Sequence, residues 1–288
     1  MASPRLAITV DLEFVDSAFL FRGRNECAPA GTGEMGLNGV EFIADLLERH
    51  GCRGTFFILG EVAENRPELV ADLANRGHEI ASHGYSKSHP DLRELRRSDV
   101  HEEVVSAKEI LEDIVGDDIA GYRAPAFAMD EDVLSVVRDA GFAYDSSLVP
   151  SRRIPGFYGD ADAPKLPFEA TEWYGVGGIS EFPITVAPLV GLPVSGAWIR
   201  LLGRMYALWG LSKAMNAYPA VTTYIHPWEF IDVPQFDELP RRVPWRTGEY
   251  VRASFEQLIA RYSDQIAPMG EVLREYDSGE FSSEVVAP

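Results

Sequence analysis

Asp11 and Glu13, His83, Arg123, Asp145 and His226 each stand directly after a short apolar run, and His89 follows in the loop beyond His83. Two carboxylates and three histidines can build a facial site for a divalent cation. Two imidazoles and one carboxylate would serve as ligands, with a further position open to water. A cation held this way lowers the pKa of bound water toward neutrality and polarises a carbonyl oxygen, which are the needs of amide hydrolysis. One carboxylate and one histidine would remain as general base and general acid.

Residues so far apart meet only if the fold gathers the ends of the runs that precede them. The chain alternates apolar runs (6–10, 55–59, 79–82, 119–122, 142–144, 181–185, 221–225 and 269–272) with amphipathic stretches, the pattern of repeated β/α units and a mostly parallel sheet. Helices are expected over 38–50, stopped by Gly51, over 67–76, opened by Pro67 and stopped by Gly77, and over 131–140, capped by Asp130. Val100, Val104, Ala107, Leu111 and Ile114 recur at helical spacing, so a long helix is expected there with Ser98 or Asp99 as N-cap. Further helices are expected over 197–216 and 248–262. The fold class is therefore α/β, a distorted parallel (β/α) barrel of about seven strands, whose C-terminal strand ends would bring the polar residues to one rim. Period-2 alternation puts Asp11 and Glu13 on the same side of their strand. Residues 151–172, rich in Pro, Gly and charge, are expected to loop over the barrel mouth.

With 288 residues and no long linker, one domain over 1–288 is expected, with 276–288 as a disordered tail. The net charge of −19, with lysine only at Lys87, Lys108, Lys165 and Lys213, argues against nucleic acid as a partner and fits an acidic surface kept soluble in high salt. No stretch approaches the ~20 apolar residues of a membrane span. The first strand follows the N-terminus too closely for a cleaved signal sequence, so a cytoplasmic location is expected. Cys27 and Cys52 form no CxxC pair and are expected to be reduced.

Five segments in order resemble the motifs of the polysaccharide deacetylase family, the NodB-homology or carbohydrate esterase family 4 group. They are Ile8-Thr9-Val10-Asp11-Leu12-Glu13, Ser82-His83-Gly84-Tyr85-Ser86 with His89-Pro90-Asp91-Leu92, Tyr122-Arg123-Ala124-Pro125, Tyr144-Asp145-Ser146-Ser147, and Tyr224-Ile225-His226-Pro227-Trp228-Glu229. The last segment, together with Leu192–Arg200, also resembles a prokaryotic branch associated with surface-glycan gene clusters. The resemblance implies a metal-dependent N-deacetylase of amino sugars, with Asp11 as base, His226 as acid, and Glu13, His83 and His89 as ligands of a divalent metal, Zn2+ in the first place. It further implies that Arg123 pairs with Asp11, that the Ala126 N–H helps to bind the oxyanion, and that Trp228 lines the acyl or sugar pocket; Arg200 and Asp145 join the substrate-side residues. Two departures stand out: Leu12 separates the two acids, and Lys87-Ser88 reads as an insertion between the histidines.

Plainer roles are assigned elsewhere: His50, His78 and His101 to structure, and Trp198, Trp209 and Trp245 to core or pocket wall. Asp145 could equally hydrogen-bond its own loop. Two other functions fit the same residues. A hydrolase of a small cyclic amide would open imide rings rather than release acetate, and a metal-degenerate sugar-binding protein would bind sugar regardless of chelator.

Overall fold

A computed structural model describes residues 3–23, 27–155 and 158–279. Its centre is β1 (Arg5–Leu12), whose residues after Arg5 are all buried. So unbroken a buried run has cover on both faces, as in a parallel sheet wrapped by helices. On one side β1 pairs with β2 (Thr55–Ile58), which pairs with β3 (Glu79–Ser82); on the other it pairs with β8 (Ala220–Ile225). Beyond β3 follow β4 (Gly121–Tyr122), β5 (Tyr144–Asp145) and β7 (Ser180–Glu181), all parallel, and then β6 (Phe168–Glu169), antiparallel at the edge. Among the described residues the sheet thus has seven parallel strands and one antiparallel strand, curled into a partial barrel. At the open seam the segment after β7 lies against β8, where Thr222 N–H donates to Thr185 Oγ1 (2.9 Å) and the Thr223 hydroxyl donates to the Val194 carbonyl.

The helices are α1 (Val15–Leu20), α2 (Leu37–Arg49), α3 (Gly60–Asn65), α4 (Pro67–Asn75), α5 (Arg97–Val115), α6 (Glu131–Asp139), α7 (Thr171–Tyr174), α8 (Gly196–Leu202), α9 (Arg204–Ala217), α10 (Glu249–Tyr262) and α11 (Met269–Asp277). The stripe Val100, Val104, Ala107 and Leu111 is buried as its spacing requires. Asp130 caps α6 by accepting from Val133 N–H at 2.9 Å. No helix among the described residues is long and apolar enough to cross a membrane.

Four expectations are corrected. The N-cap of α5 is Arg96, not Ser98 or Asp99; the helix starts earlier and Ser98 and Asp99 fall in its first turn. The helix expected over 197–216 is two helices, broken at Gly203, whose φ of 91° lies outside helical space. The loop 151–172 contains β6 and runs into α7. Residues 269–272 are helical rather than extended. A short apolar run cannot by itself be told from a buried helical turn. Here Met269, Val272 and Leu273 fall on one helical face and pack with Ala7, Phe57, Ala81 and Ala220 inside the barrel. α11 also takes up 276–277 of the expected tail, and 280–288 lie outside the described residues.

α11 closes one end of the barrel. Met269 N–H donates to Thr55 Oγ1 (2.7 Å), Gly270 N–H donates to Glu79 Oε2 (3.0 Å), and Arg5 pairs with Glu275 (2.8 Å). Arg5, Thr55 and Glu79 all begin their strands, so the end where the strands finish stays open for chemistry.

Candidate metal centre and active site

Arg123, immediately after β4, is fully buried, and its guanidinium ties three strand ends together. Nη1 donates to Asp11 Oδ1 (2.6 Å) and Thr9 Oγ1 (2.8 Å); Nε and Nη2 donate to the carbonyl and hydroxyl of Ser146, each at 2.9 Å. The cation also lies 4.1 Å above the centre of the Phe57 ring. Removing one member of such a pair strands the other charge in the interior, at a cost of roughly 3–5 kcal/mol. Arg123→Met is therefore expected to lower unfolding stability in urea by about that amount, with part recovered when Asp11→Asn is added. A loss below ~1 kcal/mol would show that the pair does not organise the rim.

The Arg123 carbonyl, which can only accept, takes the His83 Nδ1 proton at 2.8 Å. His83 Nε2 then faces Glu13 Oε1 at 3.2 Å. His89 Nε2 points at the same oxygen from 3.6 Å and, though its residue is 3% exposed, has no hydrogen-bond partner. Its backbone carries a φ of 48°, the left-handed region that non-glycine residues occupy at a cost and that clusters at functional sites. Burial alone would push the Glu13 carboxyl up; the charge of His89, the hydrogen bond from His83, and the charges of His226 and His83 outweigh it and hold Glu13 down at about 2. Burial in turn lowers the His89 pKa and favours the neutral ring that can donate a lone pair. An orphaned buried imidazole, a second imidazole fixed through its far nitrogen and an ionised carboxylate are the donor types that a divalent cation takes. The three groups converge on Glu13 Oε1 without enclosing a common point: among the described residues no closed set of three such ligands is present. Lys87 is directed elsewhere, pairing with Asp16 at 3.3 Å.

His226 follows β8. Its backbone N–H donates to Glu229 Oε2 (3.0 Å) and its Nδ1 lies 3.4 Å from the same oxygen. The ring stacks on Trp228 (5.5 Å between centres, 24°) and meets Tyr224 edge-on. Burial would lower the His226 pKa, but the Glu229 hydrogen bond and the charges of Glu13, Glu229 and Asp11 raise it to about 9. Glu229 is itself fully buried and ionised because Arg200 Nε donates to its Oε1 at 2.8 Å. Arg200 also donates from Nη1 to the carbonyls of Arg242, Val243 and Trp245, at 3.1, 2.6 and 3.1 Å. Arg200, expected on the substrate side, lines the same cavity as His226, and its guanidinium is engaged by Glu229 and a loop. Gly196 makes this packing possible: a Cβ there would come within 1.8 Å of Glu229 Oε2.

Asp145 faces the interior. Its carboxylate accepts from Ser147 Oγ (2.7 Å) and Ser147 N–H (3.0 Å), the loop-holding alternative named above. Its register partner across the sheet is Glu181. Burial raises both acids, and the neighbouring Asp145 charge adds to it at Glu181, which is pushed well above the carboxylate range.

Glu13, His89, Ala126, Arg200, His226 and Trp228 line one cavity of about 350 Å3. Asp11, His83 and Arg123 are not among the residues lining it; His83 meets Glu13, which does, and Arg123 joins His83 to Asp11. Ala126 and Phe127 both have positive φ (55° and 57°), a second strained turn at the cavity edge. A neighbouring cavity of about 440 Å3, sharing Phe127, Ile154 and Tyr158 with the first, carries Arg22, Arg93, Arg153 and Trp173. Glu229, Tyr158 and Phe127 had been given no role from sequence. Only Glu229 left a signal there, its i,i+3 spacing from His226 across Pro227.

Residues 35–144 match the family model for polysaccharide deacetylase, and 146–265 match one described as a domain of unknown function (DUF3473). Over 102 residues the chain is 33% identical to a chitooligosaccharide deacetylase of Bradyrhizobium sp., covering 35% of this chain and 46% of the relative. Over 85 residues it is 40% identical to a peptidoglycan-N-acetylglucosamine deacetylase of Bacillus cereus, covering 30% of this chain and 28% of the relative. The chain thus spans less than half the length of these relatives. In fold it is similar to a Mycobacterium smegmatis protein assigned to the polysaccharide deacetylases (TM-score 0.65, 22% identity, covering all of this chain and 95% of that one).

Proposed function

We propose that this chain, a member of the polysaccharide deacetylase family through residues 35–144, is a metal-dependent hydrolase that removes an N-acetyl group from an amino sugar in a glycan or glycan precursor. The observation that carries the proposal is the meeting, in one cavity, of Glu13, of His89 whose Nε2 makes no hydrogen bond, and of His226 backed by Glu229. The named activities of the bacterial relatives support the same chemistry.

Glu13, His83 and His89 would hold the metal, Zn2+ in the first place. Bound there, a divalent cation supplies an activated water and polarises the amide carbonyl. Asp11 would accept the proton of the attacking water, with Arg123 fixing one of its oxygens and leaving the other for that task. His226 would give its proton to the leaving nitrogen, and the N–H of Ala126 would donate to the oxyanion. Trp228, stacked on His226, forms a flat wall for the acyl group or the sugar, and the neighbouring cavity offers room for further sugar units.

Acetate release from N-acetylated oligosaccharides, assayed with and without chelator, tests the reaction directly. Ring opening of a small imide without acetate release would reject it. A further outcome concerns pH. An acid is competent only while protonated, so activity carried by His226 persists below its pKa and falls as pH rises through about 9. Removing the Glu229 charge lowers that pKa, so Glu229→Gln is expected to move the alkaline limb of kcat to lower pH. NMR titration of the His226 ring in chelator-treated protein reads the same displacement without turnover. An unmoved limb and an unmoved titration would remove Glu229 from the acid's environment.

A further inference from the structure

Between Glu181 and Glu229 the sequence contains no Asp or Glu, although the chain carries 45 acids in 288 residues. The same is true of 240–248, which holds Arg241, Arg242 and Arg246. The two stretches meet in the fold: Arg200 donates to the carbonyls of Arg242, Val243 and Trp245, and Arg246 donates back to the Arg200 carbonyl at 3.4 Å. Among the described residues seven large apolar side chains are exposed, and Leu201 (48%), Leu202 (48%), Met205 (72%), Trp209 (36%) and Trp245 (53%) all lie on these two stretches. Arg204, Lys213, Arg241, Arg242 and Arg246 are exposed among them. Arg246 also lies 5.4 Å above the Trp245 ring, an arrangement that keeps an arginine and a tryptophan at one level. An exposed apolar patch of this kind needs a partner, and Leu, Met and Trp ringed by cations match the interfacial zone of a bilayer bearing anionic lipid.

We propose that the face made by α8, α9 and the loop 240–248 docks on an anionic phospholipid surface. Leu202, Met205 and Trp245 enter the headgroup region while the surrounding arginines and Lys213 meet lipid phosphates. The chain's net charge of −19 favours an approach by this basic face, with Asp237, Glu238 and Glu249 at its border, and at physiological salt repulsion from the rest of the chain is screened beyond ~8 Å. Leu201, Trp198 and Arg242 border both this face and the cavity of His226. Resting on the function proposed above, docking turns the cavity mouth toward the membrane and suits a glycan carried on a lipid rather than one free in solution.

Vesicle flotation of the intact protein tests the docking without using turnover. With phosphatidylglycerol–phosphatidylcholine vesicles the protein is expected to float, with recovery falling at least ~10-fold on pure phosphatidylcholine and again in high salt. Leu202→Ser with Met205→Ser, and separately Arg204→Glu with Lys213→Glu, are each expected to weaken partitioning by roughly tenfold. Both pairs should leave acetate release from a water-soluble oligosaccharide unchanged, which reports that the variants fold. Equal recovery on both vesicle types, none on either, or full binding by the variants would overturn the proposal. So would a concentration-dependent dimer that Leu202→Ser with Met205→Ser abolishes, because the face would then belong to a second copy. None of these outcomes touches the hydrolase assignment, which falls only if the wild-type protein releases no acetate from the soluble substrate.

Discussion

Replacing His226 with Ala is expected to lower kcat for acetate release by about 10²–10⁴-fold, the usual worth of a positioned general acid. The size of the effect follows from its surroundings. The ring is held protonated by Glu229, stacked on Trp228 and turned toward the cavity that holds Glu13 and His89. No other imidazole there can take over, because His83 is fixed through its Nδ1 to the Arg123 carbonyl and His89 is disposed to be neutral. KM should change far less than kcat, since the proton is transferred only as the C–N bond breaks and the Trp228 wall persists. A variant that keeps more than a tenth of the wild-type kcat would mean that the leaving nitrogen takes its proton from elsewhere.

Loss of the metal should be equally severe. Protein purified without chelator is expected to carry ~1 divalent ion per chain and to lose acetate release on dialysis against a chelator, with Zn2+ restoring it. His89→Ala should weaken metal binding by at least ~100-fold, more than the 10–100-fold typical when only a supporting residue is lost. Metal content by mass spectrometry reads this independently of activity. Because His89 Nε2 makes no hydrogen bond, its removal breaks no internal bond of that nitrogen, so the variant should fold. His89→Ala protein with full metal content would dismiss His89 as a ligand.

The parallel strands and the residues just beyond them were legible because the physics is local: an apolar run ended by a polar residue marks a strand end whichever neighbours it acquires. Asp11, Glu13, His83, Arg123 and His226 come to one rim for that reason. The His89 position was harder to foresee, since Lys87 and Ser88 lengthen the loop, yet a tight turn closed by His89 N–H on the Ser86 carbonyl (3.2 Å) returns the ring to Glu13. Illegible features depended on contacts across long stretches of chain. Nothing nearby in sequence announces Glu229, 29 positions on, as the partner of Arg200. Asp145 turns inward because β5 is two residues long and its register sets it against Glu181. Residues 269–272 read as a strand because so short a segment fits either period, and only its packing across the starts of the strands decides for a helix.

The placement of β8 has a consequence for how the molecule is made. β1 is paired with it along Arg5–Val10, some 215 positions apart, and α11 then locks the starts of β1, β2 and β3. During synthesis, one edge of the first strand must therefore wait until residues 220–225 have left the ribosome. Over that interval the edge of β1 that β8 will take stands unpaired, a pairing across long sequence separation of the kind that slows folding and exposes a strand edge to aggregation.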